Sequence, residues 1–253
     1  MANEDQTKLG RLSAFGIEEP WQAALMMPRH WDDLSAFDNH FPADPAKWNG
    51  HRCLLVLRVL TPPKKTRSGR SGPLRTFQIQ DVDGNVGEAA AWGNEEIVAN
   101  LKPGRRAAML GSFKVYEGTP QFTVTETVDP RWLNRHRPVY PGKPKVIGAE
   151  LVRQRVIGLL PKAIPEAARA IATRLSALGD EAALLEKAQA GETFPSIEVA
   201  LWQAHLPDSP ALGESARNVL ARLAALDMLA QAMADHRGQA TIDPASIWSR
   251  FCR

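Results

Sequence analysis

LRTFQIQDVDGNVGEAAAWGN, Leu74 to Asn94, reads as two strands and the turn that joins them. Phe77 and Ile79 alternate with Gln78 and Gln80, the period of a half-buried strand. Asp81-Val82-Asp83-Gly84-Asn85 is turn chemistry, with Gly84 or Asn85 free to take a positive φ. The chain returns through VGEAAAW, a weaker strand signal because alanine is a poor strand former. It closes on one large aromatic, Trp92. A strand of alanines ending on an indole asks what the indole is for.

Working outward, HRCLLVLRVL supplies a strand before the hairpin and ends at Thr61-Pro62-Pro63. After it, NEEIVANLKPG changes period: Ile97, Val98 and Leu101 fall at helical spacing and Asn94 suits an N-cap. RRAAMLGSFKVYEG and PQFTVTETVD make two more strands around Glu117-Gly118-Thr119-Pro120. The order β-β-β-α-β-β predicts an OB-fold, a five-stranded Greek-key barrel whose exposed face binds oligonucleotides.

The flanks are helical, which makes the fold class α+β. Residues 1–47 hold short helical patterns broken by Pro20, Pro28, Pro42 and Pro45. Residues 48–130 are the barrel, 131–147 a basic, proline-rich linker, 148–240 a helical region and 241–253 a tail. In the helical region GAELVRQRVIGLLPKAI places Leu151, Val152, Val156, Leu159 and Leu160 on one side. IPEAARAIATRLSALG predicts a second helix, with Pro165 in its first turn and Gly179 past its end. IEVALWQAHLP is a third, stopped by Pro207. ESARNVLARLAALDMLAQAMADHR is a fourth, with Val219, Leu220, Leu223, Leu226 and Leu229 as its buried stripe.

Composition bounds the function. The 253 residues are 44% hydrophobic and 23% charged, ordinary for a soluble globular chain. No stretch has the length and apolarity of a membrane span, and the acidic N-terminus lacks a signal-peptide pattern. Cys53 and Cys252 give no disulfide framework, so a cytoplasmic setting is expected. Net charge is only +3, and its distribution says more. Lys64, Lys65, Arg67, Arg70 and Arg75 crowd one segment; Arg131, Arg135, Arg137, Lys143 and Lys145 crowd another. One such run is as well explained by a solvated loop. Two runs flanking a β-rich region favour a phosphate-binding surface.

Catalytic motifs are missing from this sequence. There is no G-x-x-x-x-G-K-[ST] loop, and Gly142-Lys143 stands in YPGKPK without one. DVDGNVGE fails as a calcium loop, since Val86 takes the glycine position and Trp92 that of the bidentate glutamate. The six histidines have no ligand spacing for zinc, and no Ser, His and Asp set stands in a nucleophile context. No metal or cofactor is expected. His205 in WQAHLPD reads as a helix-end residue bonding a carbonyl rather than as a catalyst.

From about Leu12 to Arg237 the chain resembles the N-terminal wedge region of RecG, the bacterial branch-migration helicase. FGIEEPWQAALMMPRHWDDLS is similar to the family's opening, a Gly-Ile, a helix and a Pro-Arg-aromatic-Asp element. TFQIQDVDGNVGEAAAWGN resembles the wedge hairpin, and LKPGRRAAMLGSFKVYEGTPQFTVTETVDP the last two wedge strands. RPVYPGKPKVIGAELVRQRV resembles the Pro-Val-Tyr-Pro linker and its helix. IEVALWQAHLP is similar to the Ala-Leu-x-x-x-His-x-Pro segment, and RLAALDMLAQAM to the Arg-Leu-rich helix before the motor. Two departures stand out. Ala91-Trp92-Gly93 replaces the family's pair of phenylalanines before Asn. TIDPASIWSRFCR does not resemble the start of a helicase motor.

The resemblance implies a non-enzymatic module that grips single-stranded or branched DNA, like the wedge of a RecG-type helicase acting in recombination, repair and stalled-fork processing. Trp92 would stack on a base. Lys64, Lys65, Arg67, Arg70 and Arg75 would hold the backbone from the loop between the first two strands. Phe113 and Tyr116 on the fourth strand are further aromatic candidates. The alanines would keep that face low. Two alternatives remain open. Trp92 could cap the barrel or pack on the helix at 94–101, and the whole could be a protein-interaction module docking on a replication or repair partner.

Overall fold

The computed structural model describes residues 9–69, 72–93, 95–116, 119–189 and 191–236. Asn94, Arg70 and the tail after His236 lie outside them. The chain divides into two compact units, Asp33–Arg135 and a second assembled from Met1–Asp32 and His136–Arg253.

Strands are numbered along the chain: β1 (His30–Asp33), β2 (Arg52–Val59), β3 (Lys64–Gly69), β4 (Gly72–Gln80), β5 (Val86–Trp92), β6 (Arg106–Tyr116), β7 (Thr119–Val128) and β8 (His136–Val139). β1 and β8 pair as a small sheet. The other six build the barrel. β2 runs antiparallel to β6, β6 to β7, and β4 to β5. β7 lies parallel to β5 at Ala89↔Phe122, Ala90↔Thr123 and Ala91↔Val124. Arg58↔Gln80 and Val59↔Ile79 close β4 back onto β2. Helix α1 (Glu95–Asn100) stands between β5 and β6. The closed ring β2-β4-β5-β7-β6, with its helix after the third barrel strand, is the OB-fold expected from the sequence.

The register explains the alanines. Phe77 faces Ala89, Ala89 faces Phe122, and Phe122 faces Phe113, with all four side chains buried. Directly opposed residues share a sheet face. Three phenylalanines therefore meet inside a narrow barrel because the fourth position in the row is a methyl group. The Phe113 and Phe122 rings lie 5.1 Å apart, tilted by 50°. Ala89 and Ala91 are thus core residues, contrary to the expectation that they flatten an exposed face; Ala90 alone points outward. Gly111 is needed for a similar reason. A Cβ there would come within 2.2 Å of the Thr123 carbonyl oxygen, beside the bulge where β6 and β7 change register.

In the second unit one helix replaces two expected ones. α2 runs from Ala149 to Leu175 with Pro161 and Pro165 inside it. Its buried row of Val152, Val156, Leu159, Leu160, Ile164 and Ile171 continues through both prolines, so packing outweighs the lost backbone hydrogen bonds. α3 (Glu181–Ala188) has no counterpart in the sequence reading; Asp180 caps it by accepting from the Ala183 amide. α4 (Ile197–His205) is capped by Ser196. α5 (Pro210–His236) carries Val219, Leu220 and Leu223 inward. Leu151 and Leu229, assigned to buried stripes, are instead exposed. The N-terminal segment forms two 3-10 turns, Gly10–Phe15 and Pro20–Leu25, whose Leu12, Ala24 and Leu25 join the same core. No helix among the described residues is long and apolar enough to cross a membrane.

Candidate nucleic-acid interface

Moving one residue along each barrel strand from the phenylalanine row reaches the outer face. There Lys64 opposes Thr76, Thr76 opposes Ala90, Ala90 opposes Thr123, Thr123 opposes Ser112, and Ser112 opposes Arg52. The next row holds Arg67, Leu74 and Trp92 in line. On the other side, Gln78 opposes Glu88, and Gln121 opposes Lys114. The floor of this face is small and buried at Ala90 and Thr123. Its margins are exposed at Lys64, Arg67, Trp92, Lys114 and Arg52. Glu88 brings a carboxylate to it, and accepts a hydrogen bond from Gln121 at 2.5 Å.

Trp92 is 36% exposed and stands in line with Leu74 and Arg67 on the outer face. Beyond it the backbone turns at Gly93, whose amide donates to the Pro73 carbonyl. A Cβ on Gly72, across that junction, would sit 2.7 Å from the Gly93 Cα. Two glycines thus let β4 and the chain leaving β5 touch backbone to backbone, and Trp92 stands at the margin they leave open.

The basic segment corrects the sequence reading. Lys64 to Gly69 is not a loop but strand β3, paired antiparallel with β4 and bulged between Lys65 and Arg67. Alternation then divides its cations. Lys64 and Arg67 share the face of Trp92, while Lys65 opposes Arg75. Arg75 is the exception among the candidates. Its side chain is largely buried and pairs with Glu95 of α1 at 2.5 Å, so it ties the helix to the sheet. Phe113, 3% exposed, belongs to the core and is no stacking platform. Arg70 and the side chain of Tyr116 lie outside the described residues.

The second basic run disperses. Arg131 pairs with Asp129 at 2.6 Å, and Arg137 is buried against Asp32 at 2.7 Å. Lys143 donates from Nζ to the Ala14 carbonyl.

Sequence reasoning missed one polar anchor and half of a second. Asp81, treated as turn chemistry, is the fastening point of the β4–β5 hairpin. Its Oδ1 accepts from the amides of Asp83 and Asn85, and its Oδ2 from the Asn85 side chain and the Phe41 amide. Burial alone would raise its carboxyl pKa, but the hydrogen bonds from Asn85, Phe41 and Asp83 prevail and the net shift is downward. An Asp followed by Asn four residues on was the available signal. In the helical unit, His205 is fully buried. Its Nε2 donates to the Ala24 carbonyl at 2.9 Å, which leaves Nδ1 to accept from the Tyr140 hydroxyl at 2.6 Å. The carbonyl bond was expected; the tyrosine was not. Burial lowers the His205 pKa to about 4 and pushes the Tyr140 phenol far above its usual value.

No protein-family model and no curated protein matches the chain. Solved structures do. RecG bound to a three-way DNA junction aligns over 90% of this chain and 30% of that one, at 16% identity and a TM-score of 0.53. The fold is therefore similar to part of RecG, the protein whose wedge region the sequence motifs resemble, and this chain spans 30% of that chain's length. The second OB-fold domain of replication protein A from Methanococcus maripaludis covers 39% of this chain and is itself 93% covered, at 19% identity and a TM-score of 0.27. A small single-stranded DNA-binding protein from Streptomyces coelicolor covers 33% and is 95% covered, at 21% identity and a TM-score of 0.27.

Proposed function

We propose that the barrel unit grips single-stranded or branched DNA without catalysing a reaction, in the manner of the wedge of a RecG-type helicase that serves recombination, repair and stalled-fork processing. The observation that carries this reading is the outward row Arg67–Leu74–Trp92, with Lys64 one row away on the same face. An exposed indole offers a π-face to any base, and base–aromatic stacking contributes about 1–3 kcal/mol per base. Cations beside it meet the phosphates on either side of that base without reading sequence. Lys65 on the opposite face of β3, and Arg70 and Tyr116 by sequence, complete the proposed contact set; Phe113 and Arg75 leave it.

A competing reading keeps the barrel as a protein-docking module, and Glu88 favours it, because a carboxylate on the face repels phosphate. Titration of the chain with oligo-dT and with a forked duplex, followed by tryptophan fluorescence, separates the two. Saturable quenching that is lost in Trp92→Ala supports the DNA grip. No quenching and no shift in anisotropy of labelled DNA at low salt would leave the docking module.

A further inference from the structure

The helical unit holds a second candidate site, independent of the barrel face. A cleft of about 760 Å³ opens between the loop at Ala14–Ile17, the stretch Leu25–Arg29 and the turn at Pro141–Pro144, with Arg217 of α5 at its edge. Its volume lies within the range of pre-formed ligand sites. Phe15, Met26 and Met27 are partly buried hydrophobics that form its apolar part. No acidic residue lines it, whereas Arg29, Lys143 and Arg217 do. Lys143 is held by a neutral group, and Arg217 by neutral groups and one carboxylate. Lys143 donates to a backbone carbonyl, that of Ala14. Arg217 donates to the Arg29 carbonyl, stacks on Trp31 with 5.5 Å between guanidinium and ring centroid, and reaches Glu214, outside the cleft lining, at 3.3 Å.

We infer that this cleft binds an acidic peptide segment of a partner protein, apolar side chains against Met26, Met27 and Phe15 and carboxylates against Arg29, Lys143 and Arg217. Charge complementarity selects the sign of the occupant. The apolar floor selects its class. Methionines adapt to aliphatic and aromatic side chains of varied shape. A single strand that stacks its bases would instead need aromatic faces, and the lining offers one phenylalanine and no tryptophan or tyrosine.

The test uses the full chain and a fluorescein-labelled eight-residue peptide of alternating Asp and Leu, read by anisotropy. The expected result is saturable binding that weakens by about tenfold or more in Arg29→Glu and in Lys143→Glu. It should weaken similarly when the peptide's Asp are replaced by Asn, or its Leu by Ser. Both variants should retain the melting temperature and the DNA affinity of the parent chain, because neither residue belongs to the barrel contact set. Equal binding of the Asn or Ser peptide would overturn the inference. So would an unlabelled oligo-dT that displaces the peptide and loses affinity in the same two variants, since the cleft would then belong to nucleic acid. The DNA-grip reading would survive the first failure and would have to be relocated by the second.

Discussion

The barrel face and the buried centre of the helical unit treat their polar residues in opposite ways. On the barrel, Lys64, Arg67 and Trp92 sit at the margins of a sheet and reach into water. In the helical unit, Tyr140 and His205 from two family-like motifs, with Ala24 from a third, close a dry hydrogen-bonded chain. Only burial separates a residue that can meet a partner from one that holds the fold. Both ring nitrogens of His205 and the Tyr140 hydroxyl proton are used within the fold, and the two side chains are buried.

The sharpest way to break this contrast is His205→Ala. Loss of the ring leaves a cavity, an unpaired Ala24 carbonyl and an unpaired Tyr140 hydroxyl, so the fold should lose roughly 3–5 kcal/mol. Chemical denaturation measures it. DNA affinity of the surviving folded protein should not change, and if it falls while stability holds, His205 is functional after all.

Acid supplies the second test. The folded pKa of His205 is about 4, below its ordinary 6.5. Between those values the unfolded chain takes up a proton that the folded chain refuses. Stability therefore falls as pH drops through that window, by up to about 1.4 kcal/mol per unit, and is unaffected by this group above it. Asp81 works lower. Its carboxyl is held below the usual 3.8, so its stabilising effect persists above that value and is lost only as pH falls beneath it. The helical unit should lose hydrogen-exchange protection at mildly acidic pH before the β4–β5 hairpin does. Simultaneous loss would show that neither group governs its own unit.

These differences were partly legible in the sequence. The barrel order was, because Phe77 and Ile79 alternate and the helix after Trp92 changes period. The phase of β5 was not, since three consecutive alanines look alike from both faces. β3 was invisible because KKTRSG has no apolar alternation; it forms by pairing its backbone with β4. Pro165 reads as the start of a second helix, yet a continuous buried row carries α2 through it as well as through Pro161. The exposure of Trp92 lay at a strand end, where period alone does not decide. Arg75 was indistinguishable from its neighbours until the structure set Glu95 beside it.

The third test returns to Trp92. If it stacks on a base, Trp92→Ala should weaken DNA binding by about 1–3 kcal/mol and leave the melting temperature nearly unchanged. Should the melting temperature drop instead, with affinity following it, the indole supports the junction at Gly72 and Gly93. Tyr116→Ala is the companion variant. If it abolishes binding where Trp92→Ala does not, the stacking platform lies on the β6–β7 hairpin.

The smallest effect belongs to single phosphate contacts, and the register makes it divisible. Affinity for single-stranded DNA should fall with salt at a log–log slope of roughly −0.7 per phosphate contact. Replacing Lys64, Lys65, Arg67 and Arg70 together by alanine should flatten that slope and weaken all sequences alike. Lys64 and Arg67 share the face of Trp92, whereas Lys65 lies on the other side of β3. Lys64→Ala with Arg67→Ala should therefore reproduce most of the flattening, and Lys65→Ala little of it. An equal contribution from Lys65 would mean that DNA wraps the β3–β4 hairpin instead of crossing one face. An unchanged slope in the four-residue variant would mean that these cations only face solvent, and the row that ends on Trp92 would lose its claim to phosphate.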